Sequence, residues 1–413
     1  MTGSAISRRQ FIRRSIQGLG LAVSGLALAE GHGERFVVGA IVPSEVGSTA
    51  ANRLENAAVA GASVRRGVLL ADQQLYPRLA AIGVELLVVV GTAPDTRSAE
   101  RAAARMIERE EARWVVGGFG CDEVAALSAR AAASGAVFVN VASTCEEARL
   151  DAAPHVLHVE PSASMHLDAI AAWSHHADVS SWTVVAPDSA EGRARLAAAR
   201  RAAEVRGIEV RGAVDFDPQA ADFRDSIESH TGSGAAAMVF LGGWHHHYDI
   251  LGQLEARHPE TVLYALPDAV NQTRAHIDTS RYLAPTVGGG VRFSSWEPTA
   301  PTPAAAALSD MFASRWGVPM DGPAWAGYQA VAVAVEGIIG SGSTDPLAVR
   351  EYLVSEATRL DVAKEAPARF DADGQLHHST MVARVNPLAT ARRELRYQLE
   401  WATFVSEHVH GGG

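Results

Sequence analysis

Lysine is almost missing from this chain. Lys364 is the only one among 36 basic residues, so nearly all positive charge is arginine, which reads as compositional bias. Cysteine is scarce too. Cys121 and Cys145 are the only two, too few for a disulfide scaffold but enough for one bridge in an oxidising compartment. No apolar run reaches the roughly 20 residues that a spanning helix needs. An excess of positive charge is also absent: 47 acidic residues leave a formal charge of −11, which excludes a nucleic-acid-binding surface. There is no G-x-S-x-G, P-loop, H-E-x-x-H or cysteine-pair zinc motif, so no enzyme class is signalled and no cofactor is expected.

What is present begins with an address. Ser7-Arg8-Arg9-Gln10-Phe11-Ile12-Arg13 matches the twin-arginine export pattern S-R-R-x-F-[LI]-[KR]. A weakly apolar stretch follows and ends in Ala27-Leu28-Ala29, an A-x-A cleavage signature. Cleavage after Ala29 removes Arg8, Arg9, Arg13 and Arg14 and no acidic residue, so the mature chain is more acidic still. A lipid anchor would need a cysteine at the cleavage site, and none is there. The expectation is a soluble periplasmic protein carried by the Tat translocase, with residues 406–413 as a disordered tail.

The mature length exceeds what one core usually fills, so two domains are expected. From Phe36 short apolar runs alternate with helical periodicity, the pattern of a parallel sheet covered by helices. Ala99, Ala102, Ala103, Met106 and Ile107 form one such stripe. The alternation restarts at Ser181-Trp182-Thr183-Val184-Val185-Ala186. Two successive series imply two similar α/β domains with a crevice at the carboxyl ends of their strands.

Several segments, in order, resemble the type I periplasmic binding proteins of the leucine/isoleucine/valine-binding family. They are Arg113-Trp114-Val115-Val116-Gly117-Gly118, Val137 to Thr144, Phe240-Leu241-Gly242-Gly243-Trp244, and Phe370-Asp371-Ala372-Asp373-Gly374. The resemblance implies an α/β fold of two doubly wound parallel-sheet lobes joined by three hinge crossings, near Pro161, Gly288 and Asp373. The N-terminal lobe would take residues 34–160 and 289–372, and the C-terminal lobe 161–288 and 375–405.

The resemblance also implies where a ligand binds. The family holds its ligand's carboxylate at positions matching Cys121, Ala142 and Thr144. Cys121 replaces a usual hydroxyl. An aromatic position falls on Trp244 and an acid that pairs with an ammonium falls on Asp268. Glu191 stands where the family has a tyrosine before glycine, and a second acid there favours a more cationic ligand or a different one altogether. The turn Gly117 to Asp122 suits an anion by its free N–H groups, while Asp122 reads as a plain helix N-cap.

Cys121 and Cys145 each follow a predicted strand of one sheet, so a bridge between them is plausible, with two free thiols as the alternative. His245-His246-His247 cannot easily share one metal, because successive helical residues point about 100° apart. They read as polar residues of a helix start at the cleft rim; a site with Asp249 or His175 is the alternative. His377-His378 takes the same discount. The leading function is therefore a binding protein that closes on a small polar, amino-acid-like molecule and hands it to ABC permease subunits. The alternative is an accessory of a PQQ-dependent alcohol oxidation system.

Overall fold

The structure is a computed structural model describing residues 33–44, 51–150, 154–300, 302–385 and 399–405. The twin-arginine segment with Arg8, Arg9 and Ala29, and the tail 406–413, lie outside the described residues.

The first lobe is built on β1 (Glu34–Pro43), β2 (Val84–Ala93), β3 (Trp114–Gly117), β4 (Val137–Asn140) and β5 (Val156–His158). These strands form one parallel sheet in the order β2-β1-β3-β4-β5. Phe36 to Val42 are all buried, because a parallel strand covered on both faces has no side facing water and reads as a continuous apolar run. Helices α1 (Ala51–Ala80), α2 (Thr96–Arg109), α3 (Cys121–Ser134) and the short α4 (Glu147–Leu150) connect them. The predicted stripe of α2 is its buried face, and Asp95 caps it by accepting the Ser98 N–H at 2.7 Å.

The second lobe repeats the plan. Its strands β6 (Ser181–Pro187), β7 (Glu209–Phe216), β8 (Ala237–Phe240) and β9 (Leu263–Ala265) run parallel in the order β7-β6-β8-β9. The edge strand β7 alternates exposed and half-buried residues, as one uncovered face requires. Helices α5 (Ala163–His176), α6 (Ala190–Val205), α7 (Arg224–Ser233), α8 (Trp244–Arg257) and α9 (Arg274–Leu283) flank this sheet.

Three segments then tie the lobes. Val159 belongs to the first core and Ala163 to the second, so the first crossing lies between them. The chain next forms β10 (Arg292–Ser294), which pairs antiparallel with β13 (Thr380–Val385), itself paired with β14 (Leu399–Val405). Phe293 sits in the second core and Trp296 in the first. That pairing holds the chain with the second lobe past Gly288, moving the second crossing to 293–296. Helices α10 (Pro303–Trp316), α11 (Gly322–Ser341) and α12 (Pro346–Leu353) return to the first lobe. α11 runs against α1 with no room for a side chain at two places: a Cβ on Gly67 would stand 1.8 Å from the Ala324 carbonyl oxygen, and one on Gly327 2.4 Å from that of Val64. After the small hairpin β11 (Arg369–Phe370) and β12 (Leu376–His377), the third crossing follows Leu376, with Val382 in the second core. Among the described residues no helix is long and apolar enough to cross a membrane.

Candidate functional site

The first lobe offers one wall of a cleft, made by the loops that leave β3 and β4. Gly118 turns there with φ +98°, and a Cβ would meet Asn140 Oδ1 at 2.7 Å. α3 starts at Cys121 with Gly120 as its cap residue, so Asp122, expected to be the N-cap, lies inside the first turn. The neighbouring Glu123 does the bonding instead: its Oε1 accepts from Gly118 N–H at 3.0 Å and Phe119 N–H at 3.3 Å. Burial pushes the Glu123 pKa upward against the pull of those two bonds.

Asn140, fully buried at the end of β4, organises the second loop. Its Oδ1 accepts from Ala142 N–H at 3.2 Å and Ser143 N–H at 3.0 Å, and its Nδ2 donates to the Ser143 carbonyl at 2.8 Å. The two loops are joined by a Cys121–Cys145 disulfide with Cα atoms 5.5 Å apart. Thr144 is nearly buried, and its hydroxyl has no hydrogen-bond partner among the described residues.

The opposite wall comes from the second lobe. Ser189 caps α6 by accepting the Gly192 N–H at 3.0 Å, which sets Glu191 at the helix entrance. Glu191 is not a free acid: Arg195, one turn on, bonds its carboxylate and also donates to the Leu241 carbonyl at 3.1 Å. Asp268 folds back on its own loop, with Oδ1 accepting from Val270 N–H and Asn271 N–H, each at 2.8 Å. Burial raises its pKa, while these amides, Arg195 and the Trp244 N–H pull the other way. Trp244 opens α8.

All six residues singled out in the sequence, Cys121, Ala142, Thr144, Glu191, Trp244 and Asp268, line one cavity of about 670 Å³ between the walls. Ala60, Ala142 and Phe119 of the first lobe touch Ala269, Val270 and Trp244 of the second. Cys121 Sγ lies 4.0 Å from Glu191 Oε1 across the gap. The same cavity holds Glu147, Asp122, Glu123 and Arg195, which the resemblance did not point to. Arg195 was legible, since an acid and a base four residues apart share a helix face. Five carboxylates face one guanidinium in this cavity.

Behind the first wall, half-buried Arg149 connects the loop to the hinge. It donates to the Ser143 carbonyl at 3.0 Å, to the Cys145 carbonyl, to the Glu160 carbonyl at 2.8 Å and to Gln375 Oε1 at 2.8 Å. Burial lowers its pKa to about 10. The Glu160 side chain in turn accepts from Gln272 at 3.0 Å and lies 3.3 Å from His166. Glu297 is clamped by Arg274 at 2.8 Å and by both donors of Arg292 at 2.9 Å. Lys364 is no idle product of composition: nearly buried, it lies 4.2 Å over the Trp325 ring and holds His378 at 2.7 Å and the Ser379 carbonyl at 2.6 Å.

The three histidines part company on the first turn of α8: His245 lies against the cavity-lining Trp244, ring centroids 5.4 Å apart, while His246 and His247 turn to partners behind the wall. His246 reaches the Pro218 carbonyl at 3.0 Å and packs edge-on against Phe216. His247 lies 2.9 Å from His276, and burial lowers its pKa to about 4. His377 pairs with Asp371 at 2.7 Å. Among the described residues no cluster able to hold a metal includes any of these histidines, Asp249 or His175.

Two α/β lobes with a cavity at the carboxyl ends of their strands describe a familiar architecture, and the sequence profile of the periplasmic binding proteins matches residues 56–392. The chain belongs to that family. This periplasmic binding protein is of type I, a group of solute-binding proteins rather than enzymes. Among solved structures it is similar to the leucine-binding protein LivK of Thermotoga maritima MSB8, with TM-score 0.71, 17% identity, and coverage of 90% of this chain and 99% of that one. The branched-chain amino acid binding protein LivJ of Streptococcus pneumoniae, in complex with isoleucine, gives TM-score 0.70 at 15% identity, covering 91% and 100%. A solute-binding protein of Rhodopseudomonas palustris BisB5, in complex with 3,4-dihydroxy benzoic acid, gives 0.67 at 13%, covering 91% and 96%. No curated protein matches the chain by sequence.

Proposed function

We propose that this protein is the substrate-binding component of an ABC importer, exported by the twin-arginine route, and that its lobes close on a small amine-bearing polar solute. The observation that carries this reading is the single cavity lined from both lobes by Cys121, Ala142, Thr144, Glu191, Trp244 and Asp268. A ligand touching both walls stabilises the closed hinge by its differential contacts.

The relatives with isoleucine and 3,4-dihydroxy benzoic acid hold carboxylates. Here most of the groups suited to a carboxylate are engaged elsewhere, and the Thr144 hydroxyl is the one left over. Gly118 and Phe119 N–H bind Glu123, Ala142 and Ser143 N–H bind Asn140, and Cys121 is bridged. The carboxylate excess around Arg195 favours a cation, with Trp244 and Phe119 offering faces for it. Titration calorimetry across diamines, amino-acid amides, polyols and free amino acids tests this. Amines should bind best, and Asp268→Asn should weaken them about tenfold, the loss of one charge-assisted contact. Tightest binding of a branched-chain amino acid would remove the amine assignment, and no binding of any panel member would remove the importer reading.

A second reading rests on the departures at Cys121 and Glu191: a ligand-binding accessory of a periplasmic PQQ-dependent alcohol oxidation system. Affinity capture from periplasm distinguishes the two, since recovery of permease subunits alone excludes the accessory role.

A further inference from the structure

The disulfide lies where a soft metal could sit. Cys121 Sγ, Cys145 Sγ and a Glu147 carboxylate oxygen are all within 4.8 Å of one another, the only such group among the described residues. Cys121 is the first residue of α3, where the helix dipole stabilises negative charge. The fourth position is left to solvent on the cleft side, since Glu191 Oε1, 4.0 Å from Cys121 Sγ, is held by Arg195. Tetrahedral zinc, with Zn–S of about 2.3 Å and Zn–O of about 2.0–2.2 Å, sets its ligand atoms roughly 3.4–3.8 Å apart. Breaking the bridge frees the two sulfurs to take up that spacing.

We propose that the reduced form of this protein binds one zinc-like divalent ion through Cys121, Cys145 and Glu147 of the first lobe, with a solvent molecule in the fourth position, so that the bridge acts as a redox lock on a metal site in the cleft wall. A dithiol supplies two electrons and its two thiol protons and leaves as its disulfide, or a phosphine supplies two electrons while one water gives two protons to the sulfurs and its oxygen to the departing phosphine oxide; either way the S–S bond breaks and two thiols form. The ion then displaces both thiol protons to solvent and forms two metal–sulfur bonds. Reoxidation by a disulfide oxidant reverses the sequence and expels the ion. This site does not depend on which solute the cleft accepts.

The test compares two states of one protein. Full-length protein is reduced with a phosphine under nitrogen, freed of reductant and titrated with Co²⁺, whose thiolate charge-transfer band separates sulfur ligation from binding by surface histidines. One equivalent with that band is expected for the reduced protein and none for the oxidised. Zn²⁺ should displace it. Glu147→Gln should keep the band and weaken binding by about tenfold or more. The Cys121→Ser/Cys145→Ser variant, with native tryptophan fluorescence, should give no band. Failure of reduced, folded protein to take up Co²⁺ overturns the proposal, as does unchanged affinity in Glu147→Gln.

Discussion

The two walls of the cleft are built differently. The first-lobe wall is satisfied from within: Asn140 and Glu123 take the loop N–H groups, a disulfide joins the two loops, and Arg149 fastens them to two hinge crossings. The second-lobe wall keeps its chemistry on the surface, in the Glu191–Arg195 pair, the Trp244 ring and the Asp268 loop. Its helix entrance is capped by one serine. A wall with most of its donors already paired serves as a fixed platform, whereas half-exposed charges can exchange partners with a ligand. Stability should therefore depend on the first wall and selectivity on the second.

The harshest break is Asn140→Ala. It strands two buried backbone N–H groups, each costing about 1–3 kcal/mol, so a loss of about 4 kcal/mol is expected in urea denaturation. A loss below about 1 kcal/mol, the scale of one ordinary hydrogen bond, would mean the loop is not held by Asn140. Next, Cys121→Ala/Cys145→Ala opens a loop of 24 residues' separation. It should cost about 3.5 kcal/mol in the chain-entropy account, read as a lower urea midpoint. Equal midpoints with and without reductant would remove the bridge from the platform.

Acid sharpens the contrast behind the second wall. Burial lowers His247 to about 4 and His276 well below its ordinary value. The unfolded chain takes up these protons near pH 6.5 and the folded chain does not, so the full contribution is present above about pH 6.5. For His247 about 3 kcal/mol should disappear as pH falls from about 6.5 to 4. His158, behind the first wall, is lowered in the same direction and adds to the same loss. Denaturation followed against pH should show a shallower acid limb in His247→Gln; an unchanged limb would dismiss that histidine as a contributor.

The mildest change should be the most selective. Glu191→Gln breaks a partly exposed ion pair, so stability should move by less than about 1 kcal/mol, while affinity for the cleft's solute should fall by about tenfold. Calorimetry on the variant reads both. A large stability loss with unchanged affinity would invert the division between the walls.

Much of the fold was legible because apolar period and chain order are local. The run Phe36 to Val42 had to be a covered strand, and the Ala99–Ile107 stripe had to be a buried helix face. Glu191 and Arg195 were four apart on any helix. The lobe boundaries were less legible: β10 pairs with β13, almost ninety residues away in sequence, and no local pattern announces such a partner. The histidine run misled because a helix start was readable while the direction of its first turn was not.

By itself, the sequence determined two parallel α/β series, the six positions that meet in one cavity, and two cysteines at neighbouring strand ends. The two series and the cysteine positions follow from apolar periodicity and strand ends, whereas the six positions are what the resemblance to the binding-protein family implied. Only the tertiary structure decided which donors remain for a ligand. Glu123 reaching Gly118, Asn140 reaching Ala142, and Arg149 reaching Gln375 are contacts whose geometry depends on packing around them. A buried N–H must find an acceptor, and which acceptor it finds is settled by what the fold brings within 3 Å or so.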